Sequence, residues 1–117
     1  MVQKVLIVIN DAPYGTEKAY NALRLGISLQ SRGNEVKVFL MADAVHCGLP
    51  GQETPTGYYN IGEMLERVLS KGGRVAACGS CLKARGLTAE GLVKGVEQGS
   101  MALLSEWTEV SDKVHSF

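Results

Sequence analysis

The run Val5-Leu6-Ile7-Val8-Ile9 constrains this chain more than any other stretch. Consecutive aliphatic residues leave no polar face, so a strand built from them is covered on both sides. That is the condition of a strand inside a parallel sheet. A parallel sheet in turn demands a crossover connection between strands. The chain supplies one at once. After a polar turn at 10–15 that holds Pro13 and Gly15, Thr16 is placed to cap a helix. Ala19, Ala22, Leu23, Gly26 and Ile27 then recur at helical spacing, and Leu25 and Leu29 widen the apolar face. Gly33 ends the helix, and Val36-Lys37-Val38-Phe39-Leu40-Met41 forms a second strand. The unit is βαβ, with a right-handed crossover.

The segment 42–59 contains Gly48, Pro50, Gly51, Pro55 and Gly57, so most of it is expected to be irregular. A connection of that length inside a compact domain is usually functional or part of an interface. Asn60, with Glu63 three residues on, resembles a capping box. Ile61, Met64, Leu65, Val68 and Leu69 follow as the clearest amphipathic helix in the chain. Gly72-Gly73 stops it, and 74–78 reads as the third strand. Thr88 is expected to cap a short helix reaching about Val93, with a fourth strand at 94–97. Ser100 opens a last helix in which Met101, Leu104, Trp107 and Thr108 share a face, and 113–117 alternates as a final strand. This order predicts an α/β fold, a three-layer sandwich around a mostly parallel five-stranded sheet, in a single domain over 1–117.

Composition narrows the function classes. The chain has 117 residues, with 12 basic and 12 acidic side chains and a formal charge of zero. A dedicated nucleic-acid or anionic-membrane surface would need a basic excess, so neither partner is expected. Low net charge also leaves little repulsion opposing self-association. No apolar run approaches the roughly 20 residues of a membrane span, and Met1-Val2-Gln3-Lys4 enters a strand-like run with no signal-peptide pattern. The expected compartment is the cytoplasm. Three cysteines make a poor disulfide framework, so thiol chemistry or metal binding is favoured over cross-linking.

Ligands of open parallel sheets sit outside the carboxyl ends of the strands. The segments there are 10–15, 42–59, 78–86 and about 97–100, and they hold Cys47, Cys78, Cys81 and His46. The run Cys78-Gly79-Ser80-Cys81 follows the third strand, with Lys83 and Arg85-Gly86 behind it. A CxxC admits four readings. It is a zinc half-site, but a structural site needs four ligands, and only Cys47, His46 and the distant His115 remain. It is a thioredoxin-like redox pair, although that motif normally opens a long helix after an early strand. It is inert packing, since free cysteine is often buried. Or it is a sulfur-carrying nucleophile, which needs an accessible thiol near positive charge, here Lys83 and Arg85. Asn10, Asp11, Tyr14, Asp43, Cys47 and Arg85 are candidates to line a pocket around it. For Asn10, Asp11 and Tyr14, turn chemistry is the plainer reading. His46 beside Cys47 is a candidate base or an exposed loop residue. Tyr58, Tyr59 and Trp107 read as core or interface anchors, and the glycines form no phosphate-binding fingerprint.

A resemblance separates these readings. Asn10-Asp11-Ala12-Pro13-Tyr14-Gly15, Leu23-Arg24-Leu25, Phe39-Leu40-Met41-Ala42-Asp43-Ala44-Val45, Gly48-Leu49-Pro50-Gly51-Gln52, Gly57-Tyr58-Tyr59-Asn60-Ile61, Cys78-Gly79-Ser80-Cys81 with Arg85-Gly86, and Trp107-Thr108 up to Asp112-Lys113-Val114 occur in order along the chain. They resemble the DsrE/DsrF-like family, in its YchN-like branch. The resemblance implies a three-layer fold on a five-stranded parallel sheet and a ring-shaped homo-oligomer, a hexamer in that branch. Sulfur-relay members take sulfane sulfur on one cysteine and pass it to a partner protein, which implies sulfur-donor and sulfur-acceptor proteins here. The carrying cysteine matches Cys78 by its distance before Arg85-Gly86. Cys81 departs from the relay members and is a candidate resolving thiol. No cofactor and no resident metal are implied. Two other functions stay open: a non-catalytic oligomeric binding or scaffold protein, and a CxxC dithiol oxidoreductase.

Overall fold

The aliphatic runs become five strands of one sheet: β1 (Lys4–Ile9), β2 (Glu35–Leu40), β3 (Arg74–Cys78), β4 (Val96–Gly99) and β5 (Lys113–Ser116). The structure, a computed structural model, describes residues 2–117. The order across the sheet is β4-β3-β2-β1-β5, and every neighbouring pair is parallel. Four helices join the strands: α1 (Lys18–Ser31), α2 (Ile61–Ser70), α3 (Gly79–Ala84) and α4 (Met101–Val110).

Crossover handedness accounts for where the helices lie. From β1 to β4 each strand is added beside its predecessor, in one direction. Right-handed crossovers stepping one way put their helices on one face. There α1 and α2 cover Val5, Ile7, Val38, Leu40, Val75 and Ala77 with Ala22, Leu23, Leu65 and Val68. The connection from β4 returns the other way to the free side of β1, so α4 falls on the opposite face. Trp107 of α4 is buried there against Leu6, Phe39 and Ala76. That layer is a single helix, and Met101, Val110 and Val114 remain exposed near it.

Local chemistry sets several boundaries. Asn60 accepts the Glu63 N–H at 3.0 Å and caps α2, as its sequence implies. Ser100 does the same for Leu103 at 3.1 Å and opens α4. Gly33 and Gly72 take positive φ just past α1 and α2. Elsewhere the sequence reading needs correction. Thr16 stands one residue ahead of the N-cap position, Glu17, yet its hydroxyl accepts the N–H of Lys18, the first residue of α1, at 3.3 Å and donates to Asp11 at 2.9 Å. Segment 42–59 is irregular over 49–59, as expected, but opens with a 3-10 helix, Ala42–Gly48, whose Ala44, Val45 and Cys47 are buried. The segment after Thr88 holds only a 3-10 turn, Ala89–Gly91, with no side-chain cap. β4 begins later than expected, because Lys94-Gly95 makes a turn with Gly95 at φ 104. In α4, Met101 and Thr108 face solvent and Leu103 joins Leu104 and Trp107 inward. β5 is an exposed edge strand along all four residues.

Candidate active site at the end of the third strand

β3 is short, apolar and ends on Cys78, which also stands at the N-cap position of α3. The change from strand to helix leaves the Cys78 thiol half-buried, at the junction. Two glycines let β4 close in beside it. A Cβ on Gly79 would lie 3.1 Å from the Gly99 carbonyl, and one on Gly99 would lie 2.8 Å from the Phe39 ring. Between these segments opens a shallow pocket of about 430 Å³. Cys78, Ser80 and Lys83 form one wall, and Gln98, Ser100 and Met101 the other.

The pocket gives Cys78 the hydrogen bonds a sulfur anion needs. Its Sγ lies 3.4 Å from the Ser80 hydroxyl. Burial pushes its pKa up, but the Cys81 thiol, the Ser80 hydroxyl and the N–H groups of Cys81 and Ser80 outweigh that, and the thiol sits below its ordinary 9.0. Cys81 shows the converse. Burial raises its pKa, its own bond to Cys78 raises it further, and the Ala42 N–H and Arg85 pull the other way without winning. That N–H reaches the Cys81 Sγ at 3.3 Å. Ala42 takes a left-handed φ of 50, rare for a residue with a Cβ, at the point where β2 gives way to the 3-10 helix. Both cysteines are free thiols. Of the pair, Cys78 is the thiol whose anion the surroundings favour and Cys81 the one whose proton they hold.

The residues expected to line the pocket do not. Asn10 bonds the Phe117 carbonyl and the Ser116 hydroxyl at the far end of the chain. Asp11 is held by Thr16, with Lys18 4.0 Å away. Tyr14 receives the Ile61 N–H and donates to Gln52, so it serves the start of α2. Cys47 is fully buried, and burial pushes its thiol up to about 12. Asp43 and Arg85 pair at 2.8 Å, and Arg85 also donates to the Cys81 carbonyl at 3.0 Å. Arg85 therefore clasps α3 to the 3-10 helix, and its charge acts on Cys81 rather than on Cys78. Lys83 is the cation that does line the pocket. His46 stays with its own turn, 3.2 Å from the Asp43 carbonyl.

Ser80, Gln98, Ser100 and Met101 line the pocket without being expected there: the sequence places 97–100 at the carboxyl edge, but it reads Ser100 only as a helix cap and Met101 only as part of a helix face. Among the described residues no three His, Cys, Asp or Glu side chains come together to hold a metal ion. A larger groove of about 810 Å³ runs between α1 and α2, where Tyr20, Tyr59, Arg24 and Arg67 line it. It contains no thiol, whereas the smaller pocket is lined by Cys78.

Such a strand-end thiol on a parallel α/β sheet defines a class, and comparison identifies it. The model of the DsrE/DsrF-like family matches residues 3–117. Protein YchN of Escherichia coli is 42% identical over 118 residues, covering 99% of this chain and 100% of YchN. An uncharacterized protein of Methanopyrus kandleri is 43% identical over 116 residues, 99% of this chain and 95% of its own length. The crystal structure of the E. coli YchN protein superposes with a TM-score of 0.92 over 99% of this chain and 100% of that one. A protein of unknown function from Methanobacterium thermoautotrophicum, at 16% identity and a TM-score of 0.75, shares the fold over 98% of this chain and 99% of its own. The chain belongs to the DsrE/DsrF-like family.

Proposed function

We propose that this protein binds and transfers sulfane sulfur, with Cys78 as the acceptor that carries it as a persulfide. The carrying observation is a half-exposed thiol at a strand end, in an open pocket, with four hydrogen-bonding groups that favour its anion. The thiolate is the nucleophile in sulfur chemistry, so a thiol held below its ordinary pKa presents more of the reactive form at a given pH. The Cys78 thiolate attacks the outer sulfur of a donor persulfide, the donor's S–S bond breaks, and the donor leaves as a thiol. The family as a whole suggests sulfur relay, and that supports the same reading. The test is to treat the protein with a persulfide donor, remove the excess and weigh the intact chain beside Cys78→Ser. A Cys81→Ser background keeps any bound sulfur on Cys78. One added sulfur atom that disappears with Cys78 is expected, and equal loading without Cys78 would sink the reading.

The assembly we propose is a homo-oligomer, a hexameric ring, which meets sulfur-donor and sulfur-acceptor proteins in the cytoplasm. Zero net charge, a sheet face covered by one helix, and exposed Met101, Val110 and Val114 support it. Light scattering that returns 12.5 kDa at micromolar concentration would overturn the assembly. Among the described residues no helix is long and apolar enough to cross a membrane.

A further inference from the structure

We propose that Cys81 discharges the sulfur carried on Cys78: the Cys81 sulfur attacks Sγ of the Cys78 persulfide, the outer sulfur leaves as hydrogen sulfide, and a Cys78–Cys81 disulfide remains. The protein would then be a sulfane-sulfur reductase and not only a carrier. This rests on Cys78 being the acceptor, as proposed above.

Three placements support it. First, Cys78 and Cys81 stand three residues apart across the first turn of α3. Residues at that spacing on a helical turn have Cβ atoms about 5–6 Å apart, and a disulfide needs about 3.5–4.5 Å, so the bridge closes once the two Cβ atoms approach by about 1–2 Å at the start of this six-residue helix. Second, the Cys81 thiol is pinned, since its Sγ accepts the Ala42 N–H at 3.3 Å and its carbonyl accepts from Arg85, which is held by Asp43. A cysteine that merely filled space would not need this support. Third, Cys78 lines the open pocket and Cys81 does not. An incoming donor meets Cys78, and Cys81 stands behind it.

The chemistry balances. In the discharge step the new bond is Cys81 Sγ to Cys78 Sγ, and the bond that breaks is Cys78 Sγ to the outer sulfur. The leaving sulfur takes the bonding electron pair and, with it, the Cys81 proton. Two thiols are oxidised to a disulfide and one sulfane sulfur is reduced to sulfide. A small dithiol such as dithiothreitol restores both thiols and completes the cycle.

The experiment loads wild type, Cys81→Ser, Cys81→Ala and Cys78→Ser with glutathione persulfide in the absence of other thiols. Intact mass and released sulfide are then measured together. Both Cys81 variants should retain one added sulfur atom. Wild type should retain none, lose the mass of two hydrogen atoms, and release one more equivalent of sulfide per chain than either variant. Wild type that keeps its added sulfur, or that forms the disulfide without the matching sulfide, overturns the discharge step and leaves Cys78 as an acceptor. Absence of added sulfur on both Cys81 variants overturns the acceptor reading, and the discharge step with it.

Discussion

The chain leaves β2 and β3, neighbours in the sheet, through segments that each carry cysteine, and it treats the two thiols in opposite ways. After β2, the 3-10 helix turns Cys47 inward, where it is fully buried and held neutral up to about pH 12. After β3, a helix starts immediately, and Cys78 stays at the surface with polar hydrogens around its sulfur. Both segments occupy the sheet edge where ligands of such folds gather. Edge position therefore does not make a reactive thiol. What decides is whether the next few residues fold over the sulfur or direct N–H groups at it. The two segments still cooperate. The first contributes Ala42 and Asp43 to the second, one through a backbone N–H and one through Arg85.

The largest expected difference is in native alkylation. A buried thiol reacts only when its surroundings open, so Cys47 should label slower than Cys78 by a factor on the order of 10³ or more. Peptide mapping after a short iodoacetamide pulse measures this, and comparable labelling of the two would erase the contrast. Alkaline unfolding gives the next effect. Folded Cys47 keeps its proton up to about pH 12, whereas in the unfolded chain it is lost from 9.0 upward. The unfolded state then binds fewer protons, and stability falls as pH rises across that window. Cys47 contributes roughly 4 kcal/mol to this loss, and Cys47→Ala should unfold less steeply with pH in denaturant titrations.

Smaller still is the clasp. Arg85→Ala removes an ion pair whose carboxylate is 64% exposed, so it should cost only about 0.5 kcal/mol in thermal melts. It should also raise the pKa of Cys81 further, by removing the one cation that lowers it. The smallest is at Ser80. Sulfur loading should rise with pH as Cys78 ionises, with a midpoint below 9.0. Ser80→Ala removes a bond to the anion, so its midpoint should move up. A midpoint that stays put would show that the backbone N–H groups suffice.

Local chemistry made much of this legible in the sequence. Arg74–Cys78 reads correctly as β3 because Gly72-Gly73 breaks the helix before it and the CxxC turn follows. Asn60 and Ser100 read correctly as caps, since a cap depends on residues three positions away. The inward face of α4 differs from the one its periodicity predicts, because helical spacing does not say how much sheet lies beneath. Met101 sits 66% exposed at the start of α4. The loop residues Asn10 and Tyr14 stay away from the pocket for a related reason. Side-chain partners in a loop come from the tertiary fold: Asn10 bonds Phe117, and Tyr14 bonds Gln52 and the N–H of Ile61, across separations no local pattern reports. The sequence sets the Arg85 charge near Cys78, whereas the fold turns it toward Cys81, through an Asp43 partner 42 residues away.

Trp107 gives the molecule a built-in optical readout. It is the chain's one tryptophan, buried edge-on to Phe39 with ring centroids 6.0 Å apart. Phe39 fills the space where a Gly99 side chain would stand, and Cys78 packs against the same cluster. Indole emission responds to the polarity and sulfur chemistry of its surroundings. On the proposed function, sulfur arriving at Cys78 or leaving it should change the emission of this native fluorophore, which a fluorescence titration of the unlabelled protein with a persulfide donor reads directly.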